Sequence, residues 1–211
     1  MPSGEKRVTI YFPNESIFKI KNFTIDGGYK TLKNTKKTLL AYGDSITQGA
    51  GPEFASISYI NILNREYKYE IIDQGIGGYR FEASHLMKID GITPDRILVA
   101  LGTNYYEPRD DYDYEKAVSD YFKRLNEIYP NVKKLVMTPL FRTRELDENR
   151  FEWCREIIKR EALKYENTYV ADGKDMMPND YVTLSDGVHP STYGSMMIGK
   201  NLIQFMKEVK F

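Results

Sequence analysis

An α/β fold with a parallel central sheet is predicted by two features of the sequence from residue 38 onwards. Short apolar runs alternate with segments whose apolar residues recur at helical spacing, a pattern typical of right-handed β-α-β units. Three of the apolar runs are nearly continuous, as in strands that helices cover on both faces. The predicted strands are Thr38–Tyr42, Tyr69–Ile72, Arg96–Leu101, Lys134–Met137 and Thr168–Ala171.

Three helices are predicted from apolar residues spaced three or four positions apart. Pro130 ends the first of them, because proline cannot continue a helix. Their apolar positions are Val118, Tyr121, Phe122, Leu125 and Ile128 in the first, Phe151, Cys154, Ile157 and Ile158 in the second, and Tyr193, Met196, Met197, Ile203 and Met206 in the last.

The first 36 residues are predicted to form a β-rich appendage. Arg7–Phe12 and Ser16–Thr24 have the composition of strands, and Pro13-Asn14-Glu15 between them has the composition of a turn. A segment of this length cannot bury a core of its own. We therefore interpret residues 1–36 as an appendage or the remnant of a β-sandwich module, and residues 37–211 as the main domain.

Charge and composition narrow the classes of partner. Lys plus Arg and Asp plus Glu both number 30, so the net charge is zero and no nucleic-acid partner is expected. A single cysteine excludes an intrachain disulfide, and no segment approaches the roughly 20 apolar residues of a membrane span. Residues 1–7 lack the apolar core of a signal peptide. A cytoplasmic location is expected, with secretion as the alternative if the chain has been trimmed.

Four loops, three of them directly after predicted strands, carry the candidate reactive residues. In an open α/β sheet, ligands bind beyond the carboxyl ends of the strands, so side chains in such loops are expected to converge. Each loop alone is compatible with a simple helix cap or tight turn, and only their combination indicates a reactive site. The loops are Gly43–Gly49, Asp73–Arg80, Gly102–Tyr106 and Ser185–Pro190.

A serine and a histidine in these loops have the chemistry of a nucleophile and its base. A serine hydroxyl is a poor nucleophile unless a base removes its proton during attack. His189 is one of two histidines, and the other, His85, lies in a helix-like stretch without a carboxylate at similar spacing. Asp186 precedes His189 by three residues, about one turn, and can therefore reach its imidazole.

Together the four loops resemble the sequence blocks of the SGNH (GDSL) hydrolase family, in the same order, over about residues 38–210. The resemblance implies a flavodoxin-like three-layer α/β/α fold with a five-stranded parallel sheet, and ester hydrolysis through an acyl-enzyme without a cofactor or metal. The matching segments are Gly43-Asp44-Ser45, Gly75-Ile76-Gly77-Gly78, Gly102-Thr103-Asn104 and Asp186-Gly187-Val188-His189.

The same resemblance implies a role for each matching residue. Ser45 is the expected nucleophile, His189 its general base and Asp186 the carboxylate that orients the imidazole. The expected oxyanion hole consists of the backbone N–H groups of Ser45 and Gly78 and the side-chain amide of Asn104. Residues 37–211 are accordingly the expected catalytic domain.

The third block departs from the family pattern. Many members have an acidic residue directly after the asparagine, where this chain has Tyr105 followed by Tyr106. Tyr79, Tyr105 and Tyr106 are interpreted as substrate-binding residues, because aromatic faces beside hydrogen-bonding groups suit a sugar better than an alkyl tail. Residues 10–13 are also similar to the end of a β-sandwich module found before the catalytic domain of some carbohydrate esterases. We therefore expect a short acyl group, most simply acetyl, on a carbohydrate or similar polar ester.

Two other functions remain open at this stage. A lipase-like or thioesterase-like member of the same family would act on longer acyl chains. A non-catalytic carbohydrate-binding module would use the 17 tyrosines as stacking surfaces, although such a module has no need of the Ser, Asp and His set. Gly43–Thr47 lacks the closing glycine of the α/β-hydrolase elbow, and two histidines with one cysteine do not supply a closed zinc site.

Overall fold

A five-stranded, all-parallel sheet forms the centre of the computed structural model, which describes residues 4, 8–22, 24, 26–31, 37–105, 112–144 and 147–211. The strands are β1 (Thr38–Gly43), β2 (Glu70–Gly75), β3 (Arg96–Ala100), β4 (Lys133–Met137) and β5 (Thr168–Ala171). The α-helices are α1 (Ser45–Gln48), α2 (Tyr59–Tyr67), α3 (Tyr114–Ile128), α4 (Glu148–Ala162) and α5 (Thr192–Glu208). Short 3-10 turns occupy Ala55–Ile57, Ala83–His85, Thr103–Tyr105, Gly173–Asp175 and Tyr181–Thr183.

Helices cover both faces of the sheet and create two hydrophobic cores. Leu39 and Ala41 of β1 pack in the core shared with α2 and α5. The alternate residues, Leu40 and Tyr42, pack in the core shared with α3 and α4. Successive side chains of a strand point to opposite faces, so a strand buried on both sides is apolar throughout. The predicted three-layer α/β/α fold with a five-stranded parallel sheet is confirmed.

In the strand order β2-β1-β3-β4-β5, the direction in which strands are added to the sheet reverses at β1. β1 pairs with β2 on one side and with β3 on the other, so the loops after these three strands open at one point of the sheet edge. This is the position at which open α/β sheets bind their ligands.

Two elements differ from the prediction. The second strand runs on to Gly75, because β1 continues to pair with it as far as Gly43 opposite Gly75. Helix α2 lies between the first two strands, in a segment where no specific helix was predicted. Only Tyr59, Ile60 and Leu63 of this helix are buried, so its apolar stripe is short.

The predicted strands of the first 36 residues are not present in the part of this segment that the structure describes. Residues 8–22, 24 and 26–31 form neither helix nor strand. A strand needs a hydrogen-bonding neighbour, and the sheet of the main domain does not extend to this segment. Phe12 and Phe18 stack on each other with ring centroids 4.5 Å apart. The interpretation of residues 1–36 as an appendage or module remnant stays a prediction.

Candidate active site

Ser45 stands at the first position of α1, directly beyond the carboxyl end of β1. The N–H of Ile46 donates to Oδ1 of Asp44 (3.0 Å), which caps the helix. The turn before it is tight: a Cβ on Gly43 would lie 2.0 Å from Oγ1 of Thr47, a side chain held by the Tyr59 hydroxyl at 2.7 Å. The Asp44 cap and the tight turn at Gly43 therefore fix the position of Ser45 at the start of α1.

His189 joins Ser45 to Asp186 through a chain of two hydrogen bonds. Nε2 of His189 lies 2.9 Å from Oγ of Ser45, and Nδ1 lies 2.8 Å from Oδ2 of Asp186. With its proton on Nδ1, the imidazole donates to Asp186 and leaves Nε2 as an acceptor for the serine proton. The arrangement can activate the hydroxyl of Ser45 and stabilise the imidazolium that results.

The backbone around Asp186 orients its carboxylate. Oδ1 accepts hydrogen bonds from the N–H of Val188 (3.0 Å) and of His189 (2.8 Å). Burial alone raises the pKa of Asp186, but the hydrogen bonds from the His189 N–H, the His189 ring and the Val188 N–H outweigh it. They hold the pKa well below the ordinary value of an aspartate. The carboxylate is therefore ionised over the whole neutral range.

The loop after β4 supports the loop that carries Asp186 and His189. The N–H groups of Thr143 and Arg144 both donate to the carbonyl of Gly187, at 2.8 and 3.1 Å. Gly187 has a left-handed φ of 88°, which a glycine adopts without the strain that a side chain would bring. Two distant segments of the chain are thus joined two residues before His189.

Asp44 places a second carboxyl close to the nucleophile. Its side chain is 2% exposed, and burial raises its pKa to about 6, with the Ile46 N–H and the charge of His189 acting in the opposite direction. This carboxyl therefore changes its charge in the pH range in which a histidine also titrates.

The glycine loop after β2 forms a turn from Ile76 to Tyr79, closed by the Tyr79 N–H donating to the Ile76 carbonyl (3.0 Å). Gly78, the third residue of the turn, has a φ of 73°. A positive φ at the third position alone is the signature of a type II turn, which favours glycine there. The turn lies beside the nucleophile, since a Cβ on Gly77 would be 4.0 Å from Cβ of Ser45.

Asn104 lies in the turn after β3 and is joined to the glycine loop. Its backbone angles, φ −90° and ψ 19°, fall in the bridge region that active-site residues frequently occupy. Nδ2 of Asn104 donates to the carbonyl of Tyr79 at 3.1 Å. The buried guanidinium of Arg142 donates to the carbonyls of Thr103 (2.9 Å) and Arg144 (2.9 Å), and so connects this turn to the loop after β4.

The model of the GDSL-like lipase/acylhydrolase family matches residues 41–196, which contain all five strands except the start of β1 and four of the five α-helices in full. This chain belongs to that family. No curated protein matches the sequence of the chain.

Solved structures of similar fold include two carbohydrate esterases. A carbohydrate acetylesterase family member from Sinorhizobium meliloti is 18% identical with a TM-score of 0.62, over 82% of this chain and 98% of that one. A family two carbohydrate esterase from Clostridium thermocellum, in complex with cellohexaose, is 16% identical with a TM-score of 0.65, over 85% and 66%.

A third similar structure is a GDSL-like lipase candidate from Bacteroides ovatus, 20% identical with a TM-score of 0.69 over 85% of this chain. The present chain spans only 55% of that protein's length. At these identities the likeness concerns the fold.

The structure describes the three tyrosines predicted to bind substrate in this GDSL-like protein to different extents. Tyr79 is half-buried and stacks on His85 with ring centroids 5.9 Å apart, while its carbonyl accepts from Asn104. The backbone of Tyr105 ends the turn that contains Asn104, but its side chain lies outside the described part of the structure. Tyr106 also lies outside the described residues.

Sequence reasoning missed two residues that organise the site, Gln48 and Arg142. Oε1 of Gln48 accepts from the Gly77 N–H at 2.8 Å, and Arg142 ties the turn of Asn104 to the loop after β4. A glutamine three residues after the nucleophile is a weak signal, whereas an arginine in the apolar stretch after β4 is a stronger one because buried arginine needs partners. Within the described residues, no group of three or more His, Cys, Asp or Glu side chains is arranged to hold a metal ion.

Proposed function

We propose that the chain hydrolyses esters through an acyl-enzyme formed on Ser45. The observation that carries this proposal is the hydrogen-bonded series from Ser45 Oγ through His189 to Asp186, with contacts of 2.9 and 2.8 Å. Oγ attacks the carbonyl carbon of the ester while Nε2 of His189 takes the hydroxyl proton. The ionised Asp186 carboxylate stabilises the imidazolium and keeps its orientation.

Three donors are proposed to stabilise the oxyanion that forms during attack. As the first residue of α1, Ser45 has a backbone N–H outside the helical hydrogen-bond series. The N–H of Gly78 is the second donor. An asparagine amide has two hydrogens, and Asn104 uses one on the Tyr79 carbonyl, so the other is available to the substrate. Losing one such donor typically costs about 3 kcal/mol of transition-state stabilisation.

The remaining steps reverse the same proton transfer. When the tetrahedral intermediate collapses, the carbon–oxygen bond to the alcohol breaks and His189 returns its proton to the leaving alcohol. A water molecule then attacks the acyl-enzyme and gives a proton to Nε2. Expulsion of Ser45 Oγ, which recovers that proton, releases the carboxylic acid and restores the enzyme.

The first prediction tests the nucleophile. Ser45→Ala should abolish hydrolysis of p-nitrophenyl acetate while the melting temperature stays near that of the wild type, because the hydroxyl is replaced by hydrogen on the helix N-terminus. A fluorophosphonate should add one mass increment to the wild type, mapped by peptide mass spectrometry to Ser45. Ser56→Ala, a serine of the 3-10 turn before α2, is the matched control and should keep full activity. Labelling of another serine in active protein would contradict the assignment.

For the substrate, we propose a short acyl group on a carbohydrate or a similar polar alcohol. Support comes from the two structurally similar carbohydrate esterases, one of which holds cellohexaose. In the sequence, Tyr105 and Tyr106 directly follow Asn104. Tyr79 belongs to the glycine loop, and Tyr193, which follows the histidine loop, has 47% of its surface exposed. Exposed aromatic faces of this kind can stack against sugar rings.

A further inference from the structure

The turn in the glycine loop contains a peptide unit, between Gly77 and Gly78, that glycine allows to take either of two orientations. Gly77 and Gly78 occupy the two central positions of the turn from Ile76 to Tyr79. Types I and II of such turns differ by rotation of the central peptide, and glycine at both positions permits either. The rotation reverses the direction of the Gly78 N–H. The Gly78 φ of 73° gives the type II orientation, so the N–H of Gly78 reaches the oxyanion only if the whole turn is also held at the right place beside Ser45.

Gln48 makes a contact that holds the turn beside Ser45. Its side chain projects from the last position of α1, three residues after Ser45, and Oε1 accepts from the Gly77 N–H at 2.8 Å. The backbone of the glycine loop also lies directly against α1: a Cβ on Gly75 would be 2.3 Å from the Gln48 backbone nitrogen. The hydrogen bond restrains the peptide plane immediately before the Gly77–Gly78 peptide.

The other end of the turn is held separately. Nδ2 of Asn104 donates to the carbonyl of Tyr79 at 3.1 Å. The central peptide, whose N–H belongs to Gly78, thus lies between two side-chain hydrogen bonds, one from α1 and one from the turn after β3. Together the two contacts fix where the turn lies relative to Ser45 and to the turn after β3.

The amide of Gln48 is itself oriented by the N-terminal segment. Its Nε2 donates to the backbone carbonyl of Asn14 at 3.3 Å. The Asn14 side chain lies against the turn that ends α1, where a Cβ on Gly49 would be 2.1 Å from Nδ2. A donor partner on one side and an acceptor on the other define which end of the amide faces Gly77.

We propose that Gln48 is a positioning residue for the oxyanion hole. Its side chain holds the Gly77–Gly78 turn against α1, at the position from which the Gly78 N–H can reach the developing oxyanion, and it links that position to the segment around Asn14. This inference rests on the proposed function, because it assigns Gln48 a role in stabilising the transition state formed at Ser45.

The test measures kcat per reactive Ser45. Gln48→Met keeps the length of the side chain but removes both hydrogen bonds, and Gln48→Glu keeps only the acceptor for Gly77. Each variant is titrated with a fluorophosphonate, so that rates refer to the number of competent serines and misfolded molecules are not counted. Gln204→Met, on the exposed face of α5, is the control for the same substitution.

We expect kcat of Gln48→Met with p-nitrophenyl acetate to fall roughly tenfold to a hundredfold, with KM within about threefold of the wild type. Gln48→Glu should lie between the wild type and Gln48→Met, and Gln204→Met should match the wild type. A merely structural role would lower the number of titrated serines and leave kcat per serine unchanged.

Unchanged kcat per serine in Gln48→Met would overturn the inference, as would Gln48→Glu falling as far as Gln48→Met. Failure of the proposed function is distinguishable, because it would appear as activity retained in Ser45→Ala. An inactive Ser45→Ala beside a fully active Gln48→Met would reject the role of Gln48 alone.

Discussion

Asp44, which precedes the proposed nucleophile, is a carboxyl whose environment favours its neutral form. Its side chain is almost fully buried, and burial raises its pKa to about 6 against about 4 in an unfolded chain. Folding therefore favours the protonated group. The stability that the protonated Asp44 carboxyl contributes is fully present below about pH 4 and is lost as the pH rises through about 6. Near neutrality the ionised form lowers the free energy of unfolding by about 3 kcal/mol.

Asp44→Asn should consequently stabilise the protein near neutral pH. The amide oxygen of asparagine can accept the Ile46 N–H as the carboxylate does, but without a buried charge. We expect the free energy of unfolding to increase by up to about 3 kcal/mol at about pH 7, and the difference to disappear by about pH 4. Urea unfolding at several pH values measures it. Parallel stability profiles for the two proteins would show that Asp44 does not titrate as proposed.

Among the structural elements, the glycine loop combines two glycines that are needed for different physical reasons. At Gly75 the constraint is space, because an added Cβ would lie 2.3 Å from the Gln48 nitrogen and 2.8 Å from its Cα. At Gly78 there is open space around an added Cβ, and the constraint is the φ of 73°. The first glycine permits close packing of β2 on α1, and the second permits the turn.

Alanine substitutions should separate these two effects. Gly75→Ala must displace backbone atoms of α1 and should lower the free energy of unfolding by about 1–3 kcal/mol. Gly78→Ala should cost about 1 kcal/mol of stability, but the turn then relaxes and kcat per titrated serine should fall at least roughly tenfold. Thermal melts and titrated kinetics on both variants measure the contrast. The reverse order, with Gly78→Ala the less stable and fully active variant, would contradict it.

For the molecule as a whole, the local sequence pattern predicted the strands and helices of the three layers well, but it predicted the contacts between loops poorly. The β5 strand matches its predicted bounds, because a short apolar run between polar residues has clear limits. The apolar stripe of α2 contains only three buried residues, which is too few to predict where this helix lies. Alternating apolar residues before residue 22 predicted strands that the described residues do not form, because strand formation depends on a neighbour that pattern alone does not supply.

The candidate site shows the same division between local and long-range information. The segments that contain Ser45, Asn104 and His189 stood out because the fold brings strand ends together. The role inferred for Gln48 did not, because its partners Gly77 and Asn14 are 29 and 34 residues away along the chain. Such a contact has no periodicity, and only the folded backbone places it. None of the described helices combines the length and apolar character needed to span a membrane.

The position of apolar surface on the molecule also indicates which length of acyl chain the site accepts. A long acyl chain needs a continuous apolar groove beside the nucleophile. A groove of about 370 Å³ lies between α2 and α5. Four apolar and four charged residues line it, and neither Ser45 nor His189 is among them. We therefore expect the acyl group to lie outside this groove.

The last prediction follows because neither Ser45 nor His189 lines the groove. In a series of p-nitrophenyl esters, kcat/KM should be highest for acetate and should fall as the acyl chain lengthens, and acetate should be released from acetylated xylan. Met196→Gln, which makes the groove more polar, should leave the series unchanged because the acyl group does not enter it. A maximum at octanoate that Met196→Gln lowers would instead assign the groove to the acyl chain. Ester hydrolysis at Ser45 would survive that result, since the hydrogen bonds among Ser45, His189 and Asp186 do not depend on the length of the acyl group.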